Sequence, residues 1–375
     1  MTSIAPHRAP RSQKQQQPLF GEFSPGDSSG MNENRARTAS AASVENSSAG
    51  LAADPGTDYD AVVVGGGAAG LSAALVLGRA RRRVALVDAG EPRNAPAAHM
   101  QGFLGSDGLP PSELLARGRA EVVGYGVDLI SSTVTGIAVC ETRPLSRRRF
   151  RVTLAEGAIV RARRVLVTTG LRDDVPDIPG VRERWGRDLL HCPYCHGYEV
   201  RDQPLGVLAG EPSTVEESLA HAHLIRQWSD DVVFFANGAA LSVEQRERLV
   251  ARAIGIVDAT VTRLVIEDDQ LTGVETAGGH VVPRSAVFVR PRFFANDTLL
   301  TDLGCATGAN GWVTVDPTGA TSVAGVWAAG NAVNPRAQVI TAAGEGSAAA
   351  IAINNDLVDE DLPIAVADFR LGLPV

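Results

Sequence analysis

Apolar runs broken by glycine-rich turns begin abruptly at Asp58 and recur to the end of the chain. The first run, residues 59–64, leads into a glycine turn, a segment with helical spacing and a second run that ends at Asp88. This alternation is typical of a β-α-β unit and predicts an α/β fold. Further elements are predicted as strands at 205–208, 232–235 and 286–290, and as a helix after Ser213.

Residues 1–57 have a different composition, rich in Gln, Ser, Ala, Asn and Pro, with only six Ile, Leu, Val or Phe residues. So few apolar side chains cannot offset the entropy lost on ordering, and we expect a disordered tail. The tail has no apolar segment of the kind that a secretory signal contains. We therefore expect a cytoplasmic protein, with Met31 as an alternative translation start.

Length and charge narrow the function classes. A chain of 375 residues predicts about two domains. The net charge is −8 and the basic residues form no long block, which disfavours a nucleic acid partner. Lys14 is the only lysine, so a P-loop lysine or a Schiff-base lysine is excluded beyond that position.

A dinucleotide-binding pattern lies between the first strand and its helix. Gly65, Gly67 and Gly70 form G-x-G-x-x-G, and Asp88 follows Gly70 by 18 residues. The first glycine allows the tight turn, the second admits a pyrophosphate and the third lets the helix pack on the strand. The carboxylate is placed to bind ribose hydroxyls. The set predicts a bound dinucleotide.

The other end of the chain indicates which dinucleotide. Residues 325–355 predict a short strand, a Gly330-Asn331 turn and a helix that begins near Gln338, and residues 165–174 predict a strand that ends in Thr169-Gly170. With the N-terminal glycines, these segments resemble the FAD site of the two-dinucleotide-domain disulfide reductases. The resemblance is closest to the low-molecular-weight thioredoxin reductases and covers about residues 58–375. Asn331 departs from the Asp that this family usually has.

The resemblance implies two Rossmann-like domains, the second inserted in the FAD domain, and a homodimer. The implied divisions are a tail at 1–57, the FAD domain at 58–174 and 297–375, and the inserted domain at 175–296. The implied FAD-binding residues are Gly65, Gly67, Ala69, Gly70, Asp88, Val134, Thr169, Gly170, Gly330, Asn331, Gln338 and Val339.

The sequence HCPYCH at 191–196 admits three interpretations: attachment of a c-type haem, a metal site or a redox dithiol. Haem attachment normally requires export, for which the chain shows no signal. A zinc site needs four ligands, and Cys140 and Cys305 are lone and far apart. The dithiol is favoured, no metal site is expected, and the resemblance places the redox pair of these reductases in the same inserted domain.

The resemblance assigns Cys195 to the flavin side and Cys192 to the outer side. A CxxC at a helix start favours a thiolate. His196 stands where thioredoxin reductases typically have an acid for proton transfer, and an imidazole can take up a thiol proton and return it. The alternative for His196 is a hydrated surface residue. His191 and Glu199 are weaker candidates for proton transfer, and we expect His191 to be structural.

The second nucleotide site of the resembled family is degenerate in this sequence. Its glycine positions fall at Ala209 and Glu211, and Pro212 removes a backbone donor. Its final alanine falls at Thr214. After the next strand, residues 236–238 read Ala-Asn-Gly where arginines would pair with the 2′-phosphate of NADPH. We therefore expect no NADPH binding there.

A degenerate nucleotide site with a histidine after the CxxC resembles the FAD-dependent dithiol oxidases of dithiolopyrrolone and epipolythiodioxopiperazine antibiotic pathways, the holomycin and gliotoxin types. The implied electron path runs from a small dithiol to the CxxC, to FAD and to O2. Two alternatives stay open: a thioredoxin reductase that depends on NADPH or ferredoxin and reduces a protein disulfide, and a non-catalytic flavin redox sensor.

Overall fold

The computed structural model describes residues 58–140, 149–210 and 214–373. The predicted disordered tail and the loop residues Glu211 and Pro212 lie outside these ranges. The described residues group as one unit. None of the described helices has the length and hydrophobicity needed to cross a membrane.

The first sheet carries the glycine turn. Its strands are β1 (Asp58–Val64), β2 (Val84–Asp88), β3 (Asp128–Ser131), β4 (Val134–Cys140), β5 (Arg149–Leu154), β6 (Ile159–Val167) and β17 (Val326–Ala328). They run in the order β3-β2-β1-β6-β5-β4, with β17 paired to the end of β6. The strands β3, β2, β1, β6 and β17 are mutually parallel, so their carboxyl ends share one edge.

Both faces of this sheet are covered, which explains the unbroken apolar runs. Ala61 and Val63 of β1 belong to one hydrophobic core, and Val62 and Val64 belong to another on the opposite face. The first core is closed by α1 (Ala68–Arg79) and α8 (Val339–Arg370). α2 (Pro111–Gly124) also packs on α1.

A second sheet is parallel throughout and runs in the order β11-β10-β9-β15-β8. Its strands are β8 (Leu189–Leu190), β9 (Leu205–Leu208), β10 (Val232–Phe235), β11 (Ile254–Val257) and β15 (Ala286–Val289). One face packs on α5 (Val215–Ile225), and the other packs on an antiparallel sheet of β12 (Val261–Glu267), β13 (Gln270–Thr276) and β14 (Val281–Pro283). The predicted pair of Rossmann-like domains is confirmed.

The remaining helices are short. They are α3 (Val181–Arg184), α4 (Pro193–His196), α6 (Val243–Ala251) and α7 (Thr298–Asp302).

Two strands that the sequence did not indicate connect the sheets. β7 (Leu171–Asp174) and β16 (Arg292–Ala295) pair antiparallel, where the chain leaves the first sheet and where it returns. The prediction of one strand ending at Thr169-Gly170 is wrong, because β6 ends at Val167 and Gly170 adopts a φ of 71° that breaks the extended backbone. The predicted domain boundaries at 174/175 and 296/297 stay a prediction.

Candidate active site

The turn between β1 and α1 forms a cradle at the carboxyl edge of the first sheet. Gly65 has a φ of 103°, and a Cβ there would lie 2.5 Å from the carbonyl oxygen of Thr168. A Cβ on Gly70 would lie 1.8 Å from the Gly65 carbonyl oxygen, so this glycine lets α1 pack against the turn. Gly67, the N-cap of α1, is different: its Cβ would meet nothing within 4 Å. The second glycine therefore opens toward space that a ligand can fill.

Asp88 ends β2 beside this turn. Its Oδ1 accepts a hydrogen bond from the Gly66 amide at 3.0 Å, and its Oδ2 lies 3.1 Å from a guanidinium nitrogen of Arg119 on α2. The carboxylate is thereby fixed at the cavity wall with its charge partly neutralised. Arg119 was missed at the sequence level, because it lies 31 residues from Asp88 and belongs to no motif.

The Gly330-Asn331 turn follows β17 at the same edge. The Gly330 amide donates to Glu345 at 2.9 Å, and the side-chain amide of Asn331 donates to the carbonyl oxygens of Asn334 (2.9 Å) and Ala337 (3.0 Å). Asn331 thus shapes the loop that leads to α8. Its Oδ1 accepts from Arg93 at 3.3 Å.

A cavity of about 850 Å³ joins these features to the cysteine pair. The predicted site residues that line it are Gly65, Gly67, Ala69, Asp88, Thr169, Gly170, Cys192, Cys195, His196, Gly330, Asn331, Gln338 and Val339. Gly70 lies beneath the turn, and Val134 is buried in the core of the first sheet without lining the cavity. A glycine turn that faces open space, with backbone donors at the start of α1, fits the pyrophosphate of FAD.

The cysteine pair lies at the far side of this cavity. Cys192 is the N-cap of α4, and its sulfur is joined to that of Cys195 in a disulfide. Gln338 directs its side-chain amide nitrogen at both sulfurs, 3.8 Å from Cys195 and 4.0 Å from Cys192. Within the described residues, no cluster of three or more His, Cys, Asp or Glu side chains is placed to hold a metal ion.

His196 lies at the end of α4 and is half-buried. Burial lowers its pKa below the ordinary value of 6.5, and the carboxylate of Glu199 acts in the opposite direction. A neutral imidazole that lines the same cavity as both sulfurs is able to accept a proton near neutral pH.

His191 is more deeply enclosed, and burial lowers its pKa to about 4. Its Nδ1 lies 3.3 Å from the carbonyl oxygen of Val289, and its ring contacts the edge of Phe293 with centroids 5.1 Å apart. On its other side the ring of His221 lies 5.9 Å away. These contacts tie the start of the HCPYCH segment to β15, β16 and α5.

Arg93 links the cavity to the two connecting strands and was not found from the sequence. Its guanidinium forms a two-point pair with Asp173 on β7, at 2.7 and 2.6 Å, and lies over the ring of Phe293 on β16 at 5.3 Å from its centroid. Thr169 and Asn296 hydrogen-bond each other beside this pair, at 2.5 and 3.0 Å. These partners are far apart in sequence, so no spacing pattern reveals them.

The second sheet has its own strand-to-helix turn, where a second dinucleotide would bind. Ser218 of α5 accepts a hydrogen bond from the Gly210 amide at 3.2 Å and donates one to the Thr214 carbonyl at 3.2 Å. The first turn of α5 carries Glu216 and Glu217. Beyond β10, Asn237 has a φ of 52° and accepts a hydrogen bond from the Val261 amide at 2.9 Å, so its side chain is used within the turn.

The two first-turn carboxylates have cationic partners within the second domain. Glu216 lies 3.1 Å from Arg248, and a hydrogen bond from Gln245 lowers its pKa. Glu217 lies 2.9 Å from Arg290, which also lines the main cavity. A phosphate at this helix start would have to displace or lie beside these carboxylates.

Comparisons with known proteins agree over nearly the whole described region. A model of the family described as pyridine nucleotide-disulphide oxidoreductase matches residues 59–346. The solved structure of HlmI is 58% identical, with a TM-score of 0.79, and the match covers 83% of this chain and 96% of that one.

Curated relatives of this chain include proteins named thioredoxin reductase. Thioredoxin reductase sirT of Leptosphaeria maculans is 31% identical over 315 residues, which are 81% of this chain and 96% of that protein. A probable thioredoxin reductase of Arthroderma benhamiae is 36% identical over 191 residues, and this match spans 50% of this chain and 45% of that relative.

Proposed function

The chain belongs to the family of pyridine nucleotide-disulphide oxidoreductases, and on that premise we propose that it is an FAD-dependent dithiol oxidase. It is an FAD-dependent, thioredoxin reductase-like oxidoreductase that carries a disulfide between Cys192 and Cys195. The proposal concerns the substrate and the direction of electron flow. The enzyme oxidises a small dithiol natural product, which forms an intramolecular disulfide. Bound FAD would supply the two-electron acceptor for the reduced cysteine pair, with O2 as the final acceptor.

The direction of electron flow is inferred from the residues at the start of α5. A nucleotide-reduced enzyme needs backbone donors and small residues at this turn to hold a pyrophosphate. Here the Gly210 amide is already hydrogen-bonded to Ser218, and the first helical turn carries Glu216 and Glu217, which already engage Arg248 and Arg290. Phosphate binding is thereby opposed, which favours electron entry from a dithiol.

The cysteine pair performs thiol-disulfide exchange with the substrate. One substrate thiolate attacks Sγ of Cys192, the Cys192–Cys195 bond breaks, and Cys195 leaves as a thiolate. The second substrate thiolate then attacks the substrate sulfur of the mixed disulfide. A bond forms between the two substrate sulfurs, and Cys192 leaves as a thiolate. The substrate has lost two electrons and two protons, and the cysteine pair has gained the electrons.

His196 accepts a proton from a substrate thiol in this scheme. Burial keeps its imidazole neutral at physiological pH, and it lines the same cavity as both sulfurs. When the pair is reoxidised, the two electrons and two protons taken from the substrate are accounted for by reduction of O2 to H2O2, so dithiol and O2 give disulfide and peroxide. The substrate class and the homodimer rest on the family resemblance of the sequence, and the cytoplasmic location rests on the composition of the N-terminal tail.

A thioredoxin reductase that reduces a protein disulfide is the second candidate. It is favoured by the names of the curated relatives sirT and the Arthroderma benhamiae protein. In that case electrons enter from a nucleotide or from a protein donor, and the cysteine pair is the donor to the substrate.

An anaerobic titration of the bound flavin distinguishes the two. NADPH at millimolar concentration is added first, and dithiothreitol, as a cyclisable dithiol, is added to a separate sample. We expect bleaching by the dithiol alone, and on admission of oxygen we expect recovery of the oxidised spectrum with formation of peroxide. Fast bleaching by NADPH with none by the dithiol would overturn the proposal. Cys192→Ser is the control, since the dithiol then lacks its target disulfide.

A further inference from the structure

Gln338 occupies a special place at the start of the longest described helix. It is the N-cap of α8, yet its side chain makes no capping hydrogen bond. The amide nitrogen is directed instead at the disulfide, 3.8 Å from Cys195 and 4.0 Å from Cys192. Disulfide sulfur is a weak acceptor, so this contact gains little while the pair is oxidised.

The hydrogen bond from Gln338 to sulfur becomes stronger when the cysteine pair is reduced. A thiolate is a charged acceptor, and hydrogen bonds to charged groups are roughly twice as strong as neutral ones. The helix that follows Cys192 is only four residues long, so its dipole offers limited support to a thiolate. An additional hydrogen-bond donor at the sulfur of Cys195 therefore favours its departure as a thiolate near neutral pH.

The backbone around Gln338 is held from both sides. The carbonyl oxygen of Ala337 accepts from Asn331 at 3.0 Å, and the carbonyl oxygen of Gln338 accepts from the Ala342 amide at 2.8 Å. Further along α8, a Cβ on Gly346 would lie 2.0 Å from the Ala69 carbonyl oxygen, so α8 packs directly on α1. The amide is thus positioned before any thiolate forms.

We propose that Gln338 stabilises the thiolate of Cys195 by donating a side-chain hydrogen bond to its sulfur, beyond its predicted place beside FAD. The positive end of α8 adds to this effect at the same point. The inference rests on the redox cycling of the cysteine pair in the proposed function, but it holds for either direction of electron flow.

The test is the pKa of the Cys195 thiol, measured in the Cys192→Ser protein. Alkylation by iodoacetamide is followed against pH, and the Cys195 peptide is quantified by mass spectrometry. In the Gln338→Leu variant we expect the pKa to rise by about one unit, because a charge-assisted donor is lost. In Gln338→Glu the rise is larger, because a carboxylate replaces a donor of the same shape.

Two controls distinguish a specific shift of the Cys195 pKa from a nonspecific change in the structure of the cavity. Gln101→Leu makes the same substitution at another glutamine that lines the cavity, and we expect the Cys195 titration to stay unchanged. The buried thiol of Cys305, whose pKa burial raises, serves as an internal reference in every sample.

All proteins are titrated as flavin-bound enzymes, and equal flavin content is checked by absorbance. A rise in the Cys195 pKa in Gln338→Leu and a larger rise in Gln338→Glu support the inference. An unchanged Cys195 pKa in both variants overturns it. Neither outcome bears on the choice between dithiol oxidation and thioredoxin reduction, which the flavin titration decides.

Discussion

At the scale of single residues, the two sulfurs of the CxxC differ in their surroundings. Cys192 caps α4, and Cys195 lies within it, nearer to Gln338. Replacement of Cys192 by Ser leaves Cys195 as a free thiolate on the predicted flavin side, and we expect a long-wavelength charge-transfer band in the absorption spectrum. Cys195→Ser is expected to show none. A band in the second variant only would reverse the inner and outer assignments.

His196 is expected to set the acid limb of turnover. His196→Ala lowers turnover by roughly 10²–10⁴-fold while the flavin stays bound, if the imidazole moves the proton. Because burial disfavours the imidazolium, the wild-type limb lies below pH 6.5, and turnover falls as pH drops through it. The pH dependence of kcat measures this. A loss under about threefold would return His196 to a structural role.

Glu199 allows an independent test of whether His196 sets the acid limb of the pH dependence of kcat. Its carboxylate favours the charged imidazolium of His196 and so holds that pKa up. Glu199→Gln removes this effect, and we expect the acid limb to move to lower pH with little change of turnover at pH 8. A limb that moves upward, or not at all, contradicts the assignment of the limb to His196.

At the scale of elements, the β1–α1 turn governs retention of the flavin. A Cβ on Gly67 meets open space in the cavity, so Gly67→Glu is expected to fold but to place a charged side chain where the pyrophosphate binds. We expect the purified variant to lack the yellow colour and visible absorbance of bound FAD. Gly124→Glu is the matched control, because this exposed glycine also has open space around it and lies at the end of α2. Full flavin content in Gly67→Glu would contradict the site.

Elements with local signals could be predicted from the sequence. β9 and β10 have the predicted bounds, and α8 begins one residue after Gln338, because apolar runs and turn residues act within a few positions. β7 and β16 escaped prediction because each needs a partner more than 100 residues away. Arg93 escaped for the same reason, since its pairing with Asp173 spans 80 residues. Site residues within the glycine motifs could thus be predicted from the sequence, whereas the residues that join the two domains could not.

At the scale of the whole molecule, two buried histidines make stability depend on pH. Burial lowers the pKa of His221 to about 3 and that of His191 to about 4, against about 6.5 when unfolded. The unfolded chain therefore binds more protons below pH 6.5, and the folded state loses stability as pH falls toward these values. The loss amounts to roughly 1.4 kcal/mol per histidine for each pH unit in this window.

His221→Leu is expected to reduce this acid sensitivity. Neither ring nitrogen of His221 makes a full hydrogen bond within the described residues, and burial outweighs its weak interaction with the His191 backbone, so an apolar side chain of similar size loses little at pH 7.5. The measurement is the free energy of unfolding in urea at pH 7.5 and pH 5. We expect the difference between the two pH values to shrink in His221→Leu and to stay unchanged in the exposed control His280→Leu. Equal pH dependence in wild type and His221→Leu would contradict the buried neutral imidazole.

The pairing of β7 with β16 bears on how this molecule changes over evolutionary time. The segment that carries the second sheet begins after Asp174 of β7 and ends before Arg292 of β16, and these two residues are direct partners in the pair. Because the ends of the intervening segment are already side by side, its length and internal sequence add little strain to the domain that it interrupts. We therefore expect substitutions in the turn between β9 and α5 to leave the glycine turn between β1 and α1 in place. On this expectation the intervening segment can change at its own turn while its cysteines still line the shared cavity.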